Sequence, residues 1–216
     1  MLNYPDPFSM FIIIAILGLL PFAVILTTSF LKLVIVFNIL RSALGVQQVP
    51  PTIALNALAI ILTFYIMAPV GMTSYYAIKD SSISFNNPES FVKALEVGKE
   101  PFRNFLIKHS MVKERAFFVQ TTKDLWPADA AKDVTNEDFL VLIPSFTITE
   151  LTKAFEIGFL IYLPFIAIDL IISNILLAMG MMMVSPLTIS LPFKLFLFVM
   201  INGWERLIHG LVLTYQ

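Results

Sequence analysis

Cysteine is absent from the 216 residues. That excludes disulfides, thiolate metal sites and cysteine nucleophiles, and it leaves the redox compartment open. Histidine is almost as scarce. His109 and His209 are the only two, and neither has a partner at metal-ligand spacing. There is no His-Glu-x-x-His, no glycine-rich phosphate loop and no Gly-x-Ser-x-Gly motif, so the usual signatures of a zinc hydrolase, a nucleotide site and a serine nucleophile are missing. No metal or cofactor is expected, and the chain does not read as an enzyme. Charge is the third scarcity. Only 13% of residues are charged, against about 25% in an average soluble domain. The net charge of −1 gives no reason to expect nucleic acid or an electrostatic grip on lipid headgroups. No Lys or Arg precedes the first apolar run, and no small-residue cleavage site follows it, so the run is expected to stay in the mature protein.

What the chain has in abundance is apolar surface. Hydrophobic residues make up 58%, with 20 Phe, and the mean hydropathy is +0.85. The few charges are crowded together: ten of the 14 Lys+Arg fall between Lys79 and Lys153, and eleven of the 15 acids between Asp80 and Glu150. This asymmetry predicts an all-α, membrane-targeted protein in three parts. Residues 1–74 form an apolar helical hairpin, residues 75–146 a small polar helical domain, and residues 147–216 a second apolar hairpin. The four apolar segments are long, and with 13 prolines in the chain they are expected to be kinked.

The first apolar run, Phe8 to Leu31, is long enough for a bilayer core, which needs about 20 residues. Pro21 is expected to kink or break it. Gly45 to Pro51 reads as a turn, and Ile53 to Met72 as a second helix. In the polar part, Asn87-Pro88 reads as a helix start, Gly98 as a stop and Pro101 as the next start. The pattern Thr147-Ile-Thr-Glu150 fits a capping box, which would start the third apolar helix there and run it to about Met179. Gly180 to Pro186 reads as a tight connection, and Leu187 to His209 as the fourth helix. Two positive charges and no acids between residues 32 and 51 favour a cytoplasmic loop, which puts the polar domain on the far side.

Two charges sit deep in apolar surroundings, Asp169 and Lys194. Such charges cost at least about 2.5–3.5 kcal/mol each on insertion scales and usually find partners. Asp169 lies 12 residues before the Met181–Met183 tip and Lys194 lies 11 after it, so both are about 16–18 Å from the tip and level with each other. Pairing within one hairpin is geometrically cheap. Glu150 could reach Lys194 only through a folded-back helix or from a neighbouring subunit, and it could instead merely cap its own helix. Met181-Met182-Met183 is a second anomaly. Methionine is soft and adaptable, and three at a hairpin tip cannot all point into one core. They either fill gaps in a buried turn or, repeated around a ring, form an apolar constriction.

Several stretches resemble the FliP/SctR family of export-gate proteins in flagellar and virulence type III secretion systems. Leu40-Arg-Ser-Ala-Leu-Gly-Val-Gln-Gln-Val-Pro50 is similar to the first loop motif of that family, with Arg41, Gly45, Gln47 and Gln48 as its polar and turn positions. Pro144 through Phe159, including Glu150, resembles the central signature, and Pro192-Phe-Lys194 through Trp204 the C-terminal one. Gly180 to Pro186 resembles the methionine loop between them. The missing signal-peptide pattern makes the injectisome branch the expected one. The resemblance implies a ring of about five copies joined to the related small subunits of the SctS/SctT or FliQ/FliR type. It implies a structural, non-enzymatic role at the bacterial inner (plasma) membrane, at the base of the secretion system, with a periplasmic polar domain. Unfolded secreted proteins would pass through the ring. It further implies that Met181, Met182 and Met183 form a gasket around the channel, and that Glu150 and Lys194 pair across subunits, which leaves Asp169 without a partner. The alternative reading is a small-molecule secondary transporter, a class that also carries broken helices and buried charges, although the internal repeat common there is missing.

Overall fold

The structure is a computed structural model that describes residues 7–46, 48–81 and 88–216. Among these the chain is helical, with no strand. Nine helices follow in order: α1 (Pro7–Thr27), α2 (Phe30–Leu44), α3 (Thr52–Asp80), α4 (Pro88–His109), α5 (Val112–Leu125), α6 (Ala128–Ala131), α7 (Phe139–Ala178), α8 (Pro186–Met200) and α9 (Gly203–Leu213). The expected all-α architecture is what is observed.

Helix α2 is the centre of the fold. Leu33, Val36, Phe37, Leu40 and Leu44 recur at spacings of three and four, which puts them on one face, and all are buried. Leu33, Val36 and Phe37 join Leu55 and Ala59 of α3, Ala154 of α7 and Leu211 of α9 in one apolar cluster. One turn on, Leu40, Ala43 and Leu44 pack with Phe165 of α7 and Phe198 of α8. Among the described residues, the buried part of the polar segment packs on α7 and α3. Phe105 and Leu106 of α4 are buried with Leu142 and Phe146 of α7, and Met67 and Val70 of α3 pack against them. Helices α3 and α7 run without a break through residues 74–75 and 146–147.

Several expected boundaries shift, each for a tertiary reason. The first run does not end at Leu31. The chain breaks at Thr28-Ser29, and the helices on either side meet at 74°. Residues 30–44 are therefore helix rather than loop, and Lys32 is fully buried, so it cannot serve as a loop charge in the orientation argument. Helix α4 runs straight through Gly98 and Pro101. Gly98 is not a stop but a close approach: a Cβ there would lie 2.8 Å from Cδ1 of Ile78 on α3. The break comes instead at Ser110-Met111. Met111 is extended, and its N–H donates to the buried Thr149 hydroxyl at 3.0 Å. Asn87, the expected cap of α4, lies outside the described residues. Helix α7 begins at Phe139, not Thr147. The capping-box pattern lies inside the helix, where the Thr147 hydroxyl donates to the carbonyls of Ile143 and Leu26. The fourth run is two helices, α8 and α9, meeting at 61°.

At 40 residues, α7 is about 60 Å long, twice the roughly 30 Å of a hydrocarbon core. Helices α3 and α7 are each long and apolar enough to cross a membrane, and the count rises to four if each bent pair is one span. The chain is a membrane protein whose helices are only partly covered by its own packing. Where α2 and α7 do touch, they touch closely. A Cβ at Gly158 would fall on the Ile39 side chain, 3.2 Å from its Cβ and closer still to its methyls. Gly158→Leu is therefore expected to destabilise the chain. Overpacking of about 1–3 kcal/mol outweighs the helix-propensity gain of at most about 1 kcal/mol. Thermal unfolding in detergent checks this, and Ile39→Ala in the same chain should recover part of the loss.

Candidate functional site

The methionine tip is built by a helix stop. Gly180 takes φ 73°, the left-handed conformation that ends α7. Its N–H bonds the Leu177 carbonyl at 3.0 Å, and the Met181 N–H bonds the Leu176 carbonyl at 2.9 Å. These two bonds are the 5→2 and 6→1 pair of a Schellman motif. Ser185 then takes the N-cap position of α8 and Pro186 its first turn. The connection is therefore short and stiff, and its side chains point away from the core. Met182 is 81% exposed and Met183 fully so, with Met181 at 40%. Met182 and Met183 are held out from the fold with little of their own chain to cover them, and Met181 is partly covered beside them.

Level along the same hairpin lies the first ion pair, its lysine buried and its acid 28% exposed. Lys194 of α8 contacts Asp169 of α7 at 2.6 Å, and its ammonium also donates to the Ala43 carbonyl at 3.1 Å. Ala43 is in the last turn of α2, where carbonyls lack intrahelical partners, so Lys194 satisfies that helix end as well as the acid. The other Asp169 oxygen accepts from the Ser190 hydroxyl at 2.6 Å. Asp169, which the resemblance leaves unpartnered, thus has two partners in this chain.

The second pair joins residues 118 apart. Lys32 of α2 and Glu150 of α7 lie 3.2 Å apart with no exposure on either side chain. Tyr215, just beyond α9, closes the pair. Its ring lies 3.6 Å from the Lys32 ammonium, and its hydroxyl donates to Glu150. Behind it, the rings of Phe105 and His109 pack on Tyr215. Burial, with Lys108, Lys32 and Lys153 nearby, lowers the His109 pKa to about 4, so the imidazole is neutral at neutral pH. His209 is exposed on α9. No group of His, Asp or Glu among the described residues could hold a metal.

Within one chain, then, Glu150 and Lys194 do not meet; each is held by another partner. Sequence reasoning missed Lys32 and Tyr215. Lys32 carried a usable signal, since it and Arg41 are the only charges between Asp6 and Lys79. Tyr215 carried none. In the loop motif, Arg41 donates to Thr52 Oγ1 at 2.8 Å and to Asn38 Oδ1 at 3.0 Å, tying the end of α2 to the start of α3. Gly45 takes φ 77° as the stop of α2, with Lys194 Nζ 3.9 Å from where a Cβ would be. Gln48 is exposed, and Gln47 lies outside the described residues.

An all-α membrane protein with a fully buried ion pair, a second pair level with its hairpin tip, and exposed methionines at that tip is the class these observations define. The chain belongs to the FliP family, whose model matches residues 13–211. It is 54% identical to Yop proteins translocation protein R of Yersinia pestis over 100% of this chain and 99% of that one. It is 47% identical to virulence protein YscR of Salmonella typhimurium over the whole of both chains. With hypersensitivity response secretion protein HrcR of Ralstonia nicotianae it shares 46% over 97% of this chain and 98% of that one. These full-length relatives place it on the injectisome branch of the family, as the resemblance implied.

Proposed function

We propose that the chain is a structural subunit of a type III secretion export apparatus. Copies of it, about five by family resemblance, close into a ring with the related small gate subunits. The ring admits unfolded secreted proteins and is sealed by the methionine tips. The supporting observation is the tip itself. Met181, Met182 and Met183 are presented on a stiff turn at the end of a hairpin, and two of them are almost bare in the single chain. Exposed apolar residues in a cluster call for a partner surface. Around a ring axis, each tip finds that partner in its neighbours. A ring of soft thioethers excludes water and ions when closed and yields around a passing chain.

The same reading places the complex in the bacterial inner membrane, with the α4–α6 segment facing the periplasm. The apolar faces left open on α3 and α7, including Ile61, Phe64 and Phe159, are then covered by neighbouring subunits or lipid. The cross-subunit Glu150–Lys194 pair remains part of this proposal. Glu150 and Lys194 already hold partners in the single chain, so on assembly the pair forms by exchange or sharing of partners and not by capture of free charges.

Replacing Met181, Met182 and Met183 together by Ala is expected to raise ion leak through the membrane severalfold, while the chain still accumulates and assembles. Conductance or sodium sensitivity of cells carrying the variant measures this. An unchanged leak in an assembled complex would refute the gasket role.

A further inference from the structure

We infer that α9 is a latched strap that pivots on Ile201-Asn202, between the observed bent state and one in which α8 and α9 form a single straight helix. Four observations converge on it. The first is the hinge. Asn202 is the one non-glycine residue with positive φ among the described residues, at φ 52° and ψ 48°. Asn adopts that conformation more readily than most residues, but it is still not its preferred one. The second is the crook of the bend. Gly203 is buried, and a Cβ there would fall on the Phe198 ring, which itself packs edge-on to Trp204 with centroids 5.5 Å apart. The bent state thus depends on a glycine at this one place.

The third observation is the latch at the far end. Beyond Leu213, Tyr215 covers Lys32 and donates to Glu150. This is a polar contact, formed or broken as a unit, and no other residue of the strap reaches the pair. The fourth is room to move. A cavity of about 520 Å³ lies between α9 and the α7–α8 hairpin, lined by Ile157, Ile161 and Phe165 on one side and Leu207 and Gly210 on the other. Leu211 anchors the strap in the α2–α3 cluster, and Trp204 and Leu207 pack both against that cluster and against the one holding Phe165 and Phe198, so the space lies between anchors and not along a free flank. Together α8 and α9 have the length and composition of one span, so the straight form is a helix the membrane accepts. Straightening a 61° bend moves His209, seven residues beyond the hinge, by roughly 10 Å.

The chain has no cysteine, so spin labels can be placed at will. Labels at His209→Cys on α9 and Leu160→Cys on α7 sit on exposed positions away from the latch. Pulsed dipolar spectroscopy of the full chain in detergent is expected to give one distance. Tyr215→Ala, which opens the latch, and Asn202→Ala, which disfavours the bend, should each add a second component shifted by up to roughly 10 Å. Asn202→Gly, which tolerates the bend, should add none. Tyr215→Phe keeps the ring and loses only the hydroxyl bond, so it provides a reading even where Tyr215→Ala fails to fold. A single, unchanged distance in Tyr215→Phe and Asn202→Ala alike would overturn the strap, because a rigid bend held by packing alone responds to neither.

Discussion

Glu150→Gln is expected to destabilise the chain by about 3–5 kcal/mol, the usual cost of leaving one member of a buried ion pair without its partner. Both side chains are fully buried, so water cannot replace what is lost. Lys32 keeps only the Tyr215 ring and a neutral amide oxygen. Native proteins hold a margin of roughly 5–15 kcal/mol, so a loss of this size removes much of it. Less folded chain should reach the membrane, and its unfolding temperature in detergent should fall. Lys32→Met alone should do comparable damage by stranding the Glu150 carboxylate. The two changes together should recover more than half of the loss, because a neutral, well-packed pair avoids the desolvation that an orphaned charge suffers. Thermal unfolding of the two single variants and the double variant closes the cycle. If the two losses simply add, the residues are not coupled and the pair does not hold α2 to α7.

The second large effect lies at the hairpin. Lys194→Glu sets two carboxylates against each other where a 2.6 Å ion pair stood, and it strips the end of α2 of its donor at Ala43. Loss of assembled complex is the expected outcome. What restores it separates two geometries. Asp169→Lys in the same chain rebuilds a pair of reversed sign within the hairpin, although the Ala43 carbonyl then depends on the ammonium introduced at position 169. Glu150→Lys, made together with Lys32→Met so that two ammoniums do not meet in the buried α2–α7 site, rebuilds one only if residues 150 and 194 of neighbouring subunits meet. The rescue should divide by stage. The monomer should be stabilised by Asp169→Lys and the ring by Glu150→Lys with Lys32→Met, read as unfolding temperature for the first and particle mass after gentle detergent extraction for the second. No recovery of particle mass with Glu150→Lys and Lys32→Met would remove the cross-subunit pair from the proposal.

Most of what the sequence revealed came from features whose cost is local. An apolar run declares a helix in a membrane whatever it packs on, because its backbone must bond itself there. Gly180 and Pro186 mark a turn by their own torsions. Asp169 and Lys194 could be seen to lie level because both are counted along straight helices from the same tip. Capping and stop signals fared worse. Thr147 to Glu150 has the pattern of a capping box, yet the helix continues through it, since α2 supplies Glu150 with a buried cation and the Thr147 hydroxyl finds carbonyls. Gly98 reads as a stop because nothing in the chain announces that Ile78 will lie against it.

The sequence by itself determined that this protein is helical, that it belongs with membranes, where its methionine turn lies and which family it joins. Each of these follows from composition, spacing or a motif read along one stretch of chain. Only the tertiary structure decided the partners of the buried charges and the direction taken by α9. The Lys32–Glu150–Tyr215 cluster draws on three distant segments, and the energy that selects it is the desolvation of charges brought together by packing. No local pattern carries that information, because none of the three residues meets its partners until the helices have closed around them.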